Sequence, residues 1–308
     1  MRVVFLGTPE FAVPVLAALA AAPDMELAGV VCQPDRAAGR DGALRAPAVK
    51  TAAQALGLPV SQPERIRSPA AAEWLTARQP EALAVVAYGQ ILPAAVFAAP
   101  RWGAINAHAS LLPKYRGAAP VQWAIARGET VTGVTAMQIE AGLDTGPVLL
   151  RRETPIGPAE TAPELSARLA AMAAEVMLAA LRGLAAGTIV PEPQNHTQAS
   201  LAPLLTRADA TVNWAAPAEA IYNRWRGFQP WPGIASTFRG QRLQIIGCQP
   251  IAGPRAEPGR LAGQDGDLRC ACGAGWLRLD RVQLAGRRAI SGAEFARGAR
   301  LKPGERLG

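Results

Sequence analysis

The chain has 308 residues, 50% of them hydrophobic and 18% charged, with 30 Gly and 27 Pro along its length. That length suits two domains, and that composition excludes both a disordered chain and a single long coiled coil. The net charge of +8 is unevenly placed: residues 1–205 hold 16 basic and 16 acidic side chains, whereas residues 206–308 hold 16 and 8. A neutral front and a basic back point to different partners, with a polyanion such as nucleic acid suited to the back and a merely solvated basic surface as the alternative.

Residues 2–6 are apolar and β-branched and lead through Gly7-Thr8-Pro9 into helical spacing up to residue 21, which predicts strand, tight turn and helix. A second strand is predicted at 26–32, a Gly- and Arg-containing loop at 33–46, and a helix at 47–56 stopped by Gly57. A short edge at 59–62, a helix at 68–78 and an apolar strand at 82–88 follow. Residues 82–100 carry no charge over 19 positions, near membrane-span length, but Gly89, Gln90 and Pro93 divide them into a buried strand, a turn and a short helix. No membrane association is expected. Strands alternating with helices predict an α/β domain, Rossmann-like, with a mostly parallel sheet covered on both faces.

Ligands of such sheets sit outside the carboxyl ends of the strands, so chemistry is expected in the turns after Leu6, Cys32, Tyr88 and His108. Gly7-Thr8-Pro9-Glu10 is not a GxGxxG fingerprint and no GxxxxGK[ST] occurs, which disfavours a nicotinamide cofactor or a P-loop nucleotide. A long Ala-rich helix is predicted at 161–186, followed by a polar, Pro-containing stretch. The expected division is a domain at 1–190, a linker at 191–206 and a basic domain at 207–308. In the last part, a helix at 216–226, a Pro-rich corner at 228–233 and short strands at 236–238, 242–246 and 276–282 predict a small OB-like β-barrel, an architecture suited to nucleic acid.

Cys32, Cys248, Cys270 and Cys272 form no CxxC pair and fit reduced thiols in a cytoplasmic protein. Gly7, Pro9 and Glu10 interrupt the first apolar run before it could serve as an export signal.

The run Asn106-Ala107-His108-Ala109-Ser110-Leu111-Leu112-Pro113-Lys114-Tyr115-Arg116-Gly117-Ala118-Ala119-Pro120 follows an apolar segment at 103–105. On one extended strand, Asn106 and His108 project to the same face. Taken singly, His108 also reads as a hydrogen-bonded strand-end histidine and Asn106 as a turn-capping amide. Asp144, in Gly142-Leu143-Asp144-Thr145-Gly146 between apolar strands at 131–139 and 147–150, adds a carboxylate, although turn aspartates are common. Amide, imidazole and carboxylate together suit attack by an amine on a carbonyl: the imidazole takes the proton, the carboxylate orients it and favours its cation, and the amide donates to the oxyanion. Ser110 lacks a G-x-S-x-G elbow, Cys32 belongs to a predicted buried strand, and His196 lies far from any ligand-spaced cluster, so neither a protein nucleophile nor a metal is expected. Direct transfer between two bound substrates is the simplest reading.

These motifs, with Gly7-Thr8-Pro9-Glu10-Phe11, Gln33-Pro34-Asp35-Arg36, Gly39-Arg40, Val86-Ala87-Tyr88-Gly89, Phe228-Gln229-Pro230-Trp231-Pro232-Gly233 and Ala285-Gly286-Arg287-Arg288, resemble the methionyl-tRNA formyltransferase family over nearly the full length. The resemblance implies the formyltransferase fold and transfer of a formyl group from 10-formyltetrahydrofolate to the amino group of methionyl initiator tRNA, a one-carbon step of translation initiation. It implies Asn106, His108 and Asp144 as the catalytic trio. Val86, Ala87, Tyr88, Gly89, Ile91, Leu92 and Pro93, with Ser110, Leu111, Leu112 and Pro113, are implied as the folate site, although ordinary packing also explains the last three. Arg36, Arg40 and Arg45 resemble an arm that enters the acceptor stem, and with Arg287 and Arg288 they are the expected tRNA contacts. Asp35 and Asp41 oppose the charge of that arm, and Ala109 stands where the family usually has glycine. A monomer is expected. The alternatives are a folate-dependent formyltransferase for a small amine, such as a nucleotide sugar or purine intermediate, and an inactive RNA-binding relative.

Overall fold

The computed structural model describes residues 1–38, 42–264 and 267–308. The chain enters through β1 (Arg2–Gly7), whose residues Val3 to Leu6 have no exposed surface because helices cover both faces of the sheet to which it is central. A single turn of 3-10 helix leads into α1 (Val13–Ala21), which carries a proline in its first turn, where no amide donor is needed. Next come β2 (Glu26–Val31), the paired β3 (Arg36–Ala38) and β4 (Ala43–Arg45), α2 (Ala48–Ala55) and β5 (Val60–Ser61). Ser68 caps α3 (Pro69–Thr76) by accepting from the Ala71 amide at 3.3 Å. After it run β6 (Ala82–Val86), α4 (Ala94–Phe97) and β7 (Ala104–His108), so the uncharged stretch does divide into strand, turn and short helix.

Following α5 (Pro120–Ala126), β8 (Val131–Gln138) and β9 (Val148–Pro155) complete a seven-stranded sheet of order β5-β2-β1-β6-β7-β8-β9. The first five strands are parallel, β8 runs antiparallel to β7, and β9 runs antiparallel to β8. Because the chain passes from β1 to β2 on one side and returns as β6 on the other, the topology switches direction between β1 and β6, where ligands of such sheets bind. The Thr8 hydroxyl bridges this crevice by donating to the Tyr88 carbonyl oxygen at 2.7 Å.

Helix α6 (Ala162–Ala186) is long and apolar enough to cross a membrane, yet Leu169, Ala173, Val176, Met177, Ala180 and Leu184 form a buried stripe at helical spacing. Its polar side is anchored: Arg168 donates to Thr154 Oγ1 at 2.7 Å, Glu175 pairs with Arg152, and Nε and Nη2 of Arg182 each donate to Asp24 at 2.8 Å.

The remaining elements are α7 (Ala218–Gly227), β10 (Ile234–Phe238), β11 (Gln241–Ile251), β12 (Leu261–Gln264), β13 (Asp267–Ala271), β14 (Trp276–Leu284), β15 (Ile290–Ser291) and α8 (Gly292–Ala299). They form an antiparallel sheet of order β10-β11-β14-β13-β12, with β15 beside β14. Residues 305–308 join its two edges. Leu261 N–H donates to Glu305 O, Leu307 N–H to Gly259 O, and Gly308 N–H to Thr237 O, at 2.8, 2.9 and 3.1 Å. That strip closes the barrel-like domain, whose interior holds Leu243, Ile245, Leu268, Leu277, Leu279 and Val282.

Two compact units result, and the division is not at one point of the sequence: residues 121–130 and 156–165 group with 203–308, and the rest with 1–120. Arg226, 4% exposed, gives this grouping a physical basis by donating to the carbonyl oxygens of Gly157 and Glu160 at 3.1 and 2.8 Å. Trp123 meets Phe228 edge to face at 5.3 Å in the same unit.

Candidate active site

Strand β7 turns Ile105 and Ala107 into the core and presents Asn106 and His108 together on the opposite face. His108 is 6% exposed, and its Nε2 lies 2.8 Å from the Tyr115 carbonyl oxygen. A carbonyl can only accept, so Nε2 carries the hydrogen and the lone pair of the neutral ring is on Nδ1. Nδ1 faces Asp144 Oδ2 at 3.7 Å. Among the described residues the Asn106 amide has no hydrogen-bond partner, which leaves its N–H groups available to a substrate oxygen.

Asp144 has φ +50°, in the left-handed region that aspartate tolerates better than most residues. Its Oδ2 accepts from Gly117 N–H at 2.8 Å. Its carbonyl oxygen and that of Gly146 accept from Gln194 Nε2 at 2.9 and 2.7 Å. Arg116, 7% exposed, donates to Gln194 Oε1 through Nη2 at 2.6 Å and Nε at 3.2 Å, and Nη2 also reaches His196 Nδ1 at 3.0 Å.

The loop after β7 is tied to itself and to β8. Ser110 Oγ donates to Lys114 O, and Thr135 Oγ1 donates to Ser110 O, both at 2.7 Å. Leu112 N–H donates to Thr135 Oγ1 at 3.1 Å, Arg151 Nε donates to Leu112 O at 3.0 Å, and the Leu112–Pro113 peptide is cis. Leu112 is buried, whereas Leu111 and Pro113 are half-buried. Ala109 is 8% exposed with φ outside the left-handed region, so its methyl group is accommodated.

Val86, which ends β6, is buried, as are Tyr88 and Leu92 after it, and Tyr88 and Leu92 pack with Val4, Leu6 and Val96. The Tyr88 hydroxyl has no hydrogen-bond partner among the described residues, and burial raises its pKa. Ala87 and Gly89 have positive φ, a side chain on Gly89 would press on Gln33, and Ile91 is 91% exposed. Any contribution of this segment to a ligand pocket therefore falls mainly to its main chain and to Ile91.

The 33–46 segment, expected as a loop, contains the β3–β4 ladder, with Arg36 directly opposite Arg45. Like charges in that position repel. Asp35 does not offset them as expected: it accepts from Gln62 Nε2 at 2.7 Å and from Lys50 Nζ at 2.9 and 2.7 Å, and these bonds hold its carboxyl below the usual range. Arg40 and Asp41 lie outside the described residues. Arg287 and Arg288 are exposed after the turn at Gly286. All four cysteines are free and buried, and burial raises the Cys32 pKa to about 11, against a nucleophilic role.

Residues 1–181 match the Formyl transferase family and residues 204–300 match its C-terminal domain. Methionyl-tRNA formyltransferase of Solibacter usitatus is 53% identical over 309 residues, spanning all of this chain and 99% of the relative. The chain belongs to the methionyl-tRNA formyltransferase family. A solved family member from Clostridium thermocellum has TM-score 0.56 at 15% identity, covering 95% of this chain and all of that one. HypX from Aquifex aeolicus, solved with tetrahydrofolic acid, has TM-score 0.61 at 16% identity; the alignment covers 96% of this chain, which spans about half of HypX (47%). These two likenesses concern the fold.

In this family member the expected trio is partly assembled by residues the sequence left unmarked. Gln194 falls in the stretch read as a linker, and a lone buried amide has no periodicity to reveal it. Arg116 and Gly117 belong to the quoted run, but nothing in their spacing shows which of their groups support Asp144.

Proposed function

We propose that this chain transfers the formyl group of 10-formyltetrahydrofolate to the amino group of methionine on initiator tRNA, acting as a cytoplasmic monomer. The carrying observation is full-length identity at 53% to a methionyl-tRNA formyltransferase. The approach of His108 Nδ1 to Asp144, with an Asn106 amide on the same strand that has no partner among the described residues, adds chemical support. In this reading the amine nitrogen attacks the formyl carbon, a new C–N bond forms, and the bond from that carbon to the donor nitrogen breaks. Asn106 donates to the oxyanion. His108 accepts the amine proton at Nδ1 and returns it to the departing nitrogen, while Asp144 favours the imidazolium. The main chain from Val86 to Pro93 with the Ile91 side chain, and the Ser110 to Pro113 loop, hold the folate. Arg36, Arg40, Arg45, Arg287 and Arg288 contact tRNA phosphates.

The test is a transfer assay with 10-formyltetrahydrofolate and three acceptors: methionyl initiator tRNA, methionyl elongator tRNA and a small amino sugar. Formyl-methionine on the initiator alone is expected. Transfer only to the amino sugar would overturn the tRNA reading.

A further inference from the structure

We infer that Gln194, held by Arg116, is a positioning residue that sets the His108–Asp144 approach, an inference that rests on the catalytic reading of that pair. Gln194 is 5% exposed and its hydrogen-bonding groups are fully committed: both amide hydrogens go to the carbonyl oxygens of Asp144 and Gly146, and Oε1 receives two bonds from Arg116. Buried guanidinium groups are costly, and among the described residues Arg116 has no carboxylate partner, only the Gln194 amide and the His196 imidazole. That expense is intelligible if the guanidinium fixes the amide, and the amide fixes the turn bearing Asp144.

The same stretch of chain also controls the histidine side of the pair. Ser200 Oγ accepts from Tyr115 N–H at 2.9 Å, Ser200 O accepts from Arg116 N–H at 2.8 Å, and Ala202 N–H donates to Arg116 O at 2.7 Å. Tyr115 supplies the carbonyl that holds His108 Nε2, and Gly117 supplies the N–H that holds Asp144 Oδ2. Residues 194–202 thus brace both partners from behind.

Two substitutions separate positioning from mere packing. Gln194→Glu keeps the volume and the Arg116 partner but sets a carboxylate oxygen against two carbonyl oxygens, and Gln194→Met removes all four bonds. Each is expected to lower kcat for methionyl initiator tRNA about 10²-fold, the order of a 1 Å misplacement, with KM for 10-formyltetrahydrofolate changed less than about twofold. In an Asp144→Asn background, neither should lower kcat further, because the loss acts through Asp144. Unchanged kcat in Gln194→Glu, or losses that multiply in the double variants, would overturn the inference. If Asp144→Asn alone left kcat intact, the catalytic reading itself would fall, and this inference with it.

Discussion

The proton on His108 Nε2 is committed to the Tyr115 carbonyl, so in the proposed transfer the base is Nδ1, the nitrogen that faces Asp144. Geometry at this scale depends on small residues as much as on polar ones. A Cβ on Gly146 would collide with the Gln138 carbonyl oxygen, and a strand carbonyl cannot yield, so relief must come from the turn that carries Asp144. Gly146→Ala is therefore expected to cut kcat by about tenfold or more, with donor binding retained. Equilibrium binding and single-turnover kinetics check this, and an unchanged kcat would show that the turn position is unimportant. Asn106, His108 and Asp144 stood out in the sequence as candidates because strand period and a Gly-flanked turn bring out polar groups at strand ends. Gln194 did not, since its role arises from four hydrogen bonds to residues 48 to 78 positions away.

Elements whose pattern was uniform were legible; those interrupted by a charge or a glycine were not. β9 continues past Leu150 through Arg151, Arg152 and Glu153 because an edge strand can expose charges. β11 runs on through Gly247, where its pairing with β14 shifts register. The β3–β4 ladder was hidden by its length of three residues per strand. Its facing arginines lead to an element-scale expectation: Arg36→Ala with Arg45→Ala should reduce the slope of log affinity for tRNA against log salt by about 1.5 to 2. A slope equal to that of the parent protein in a filter-binding titration would remove this hairpin from the interface. Helix α6 supplies a second expectation. Arg182 holds the Asp24 carboxyl down to about 2 from 3.8, so the pair's stabilisation is present above pH 4 and lost as pH falls through 2. The melting difference between the parent protein and Asp24→Asn should accordingly shrink as pH falls toward 2 and, the pair being exposed, shrink in high salt. A difference of the same size at pH 2 as at pH 5 would assign it to packing.

At the scale of the molecule, most of the excess positive charge and the proposed chemistry fall in different units. Residues 206–308 hold all of the net charge, whereas Asn106, His108 and Asp144 lie in the unit built on the seven-stranded sheet. A two-domain α/β and barrel organisation was legible from alternating elements and from the change in charge, but the grouping of 121–130 and 156–165 with the basic unit was not, because it depends on side chains such as Arg226. Separating binding from chemistry makes the account directly testable: His108→Ala should bind 10-formyltetrahydrofolate and tRNA as the parent protein does while kcat falls at least about 10²-fold, as expected for removal of a general base. A kcat equal to the parent's, measured with both substrates saturating, would contradict it.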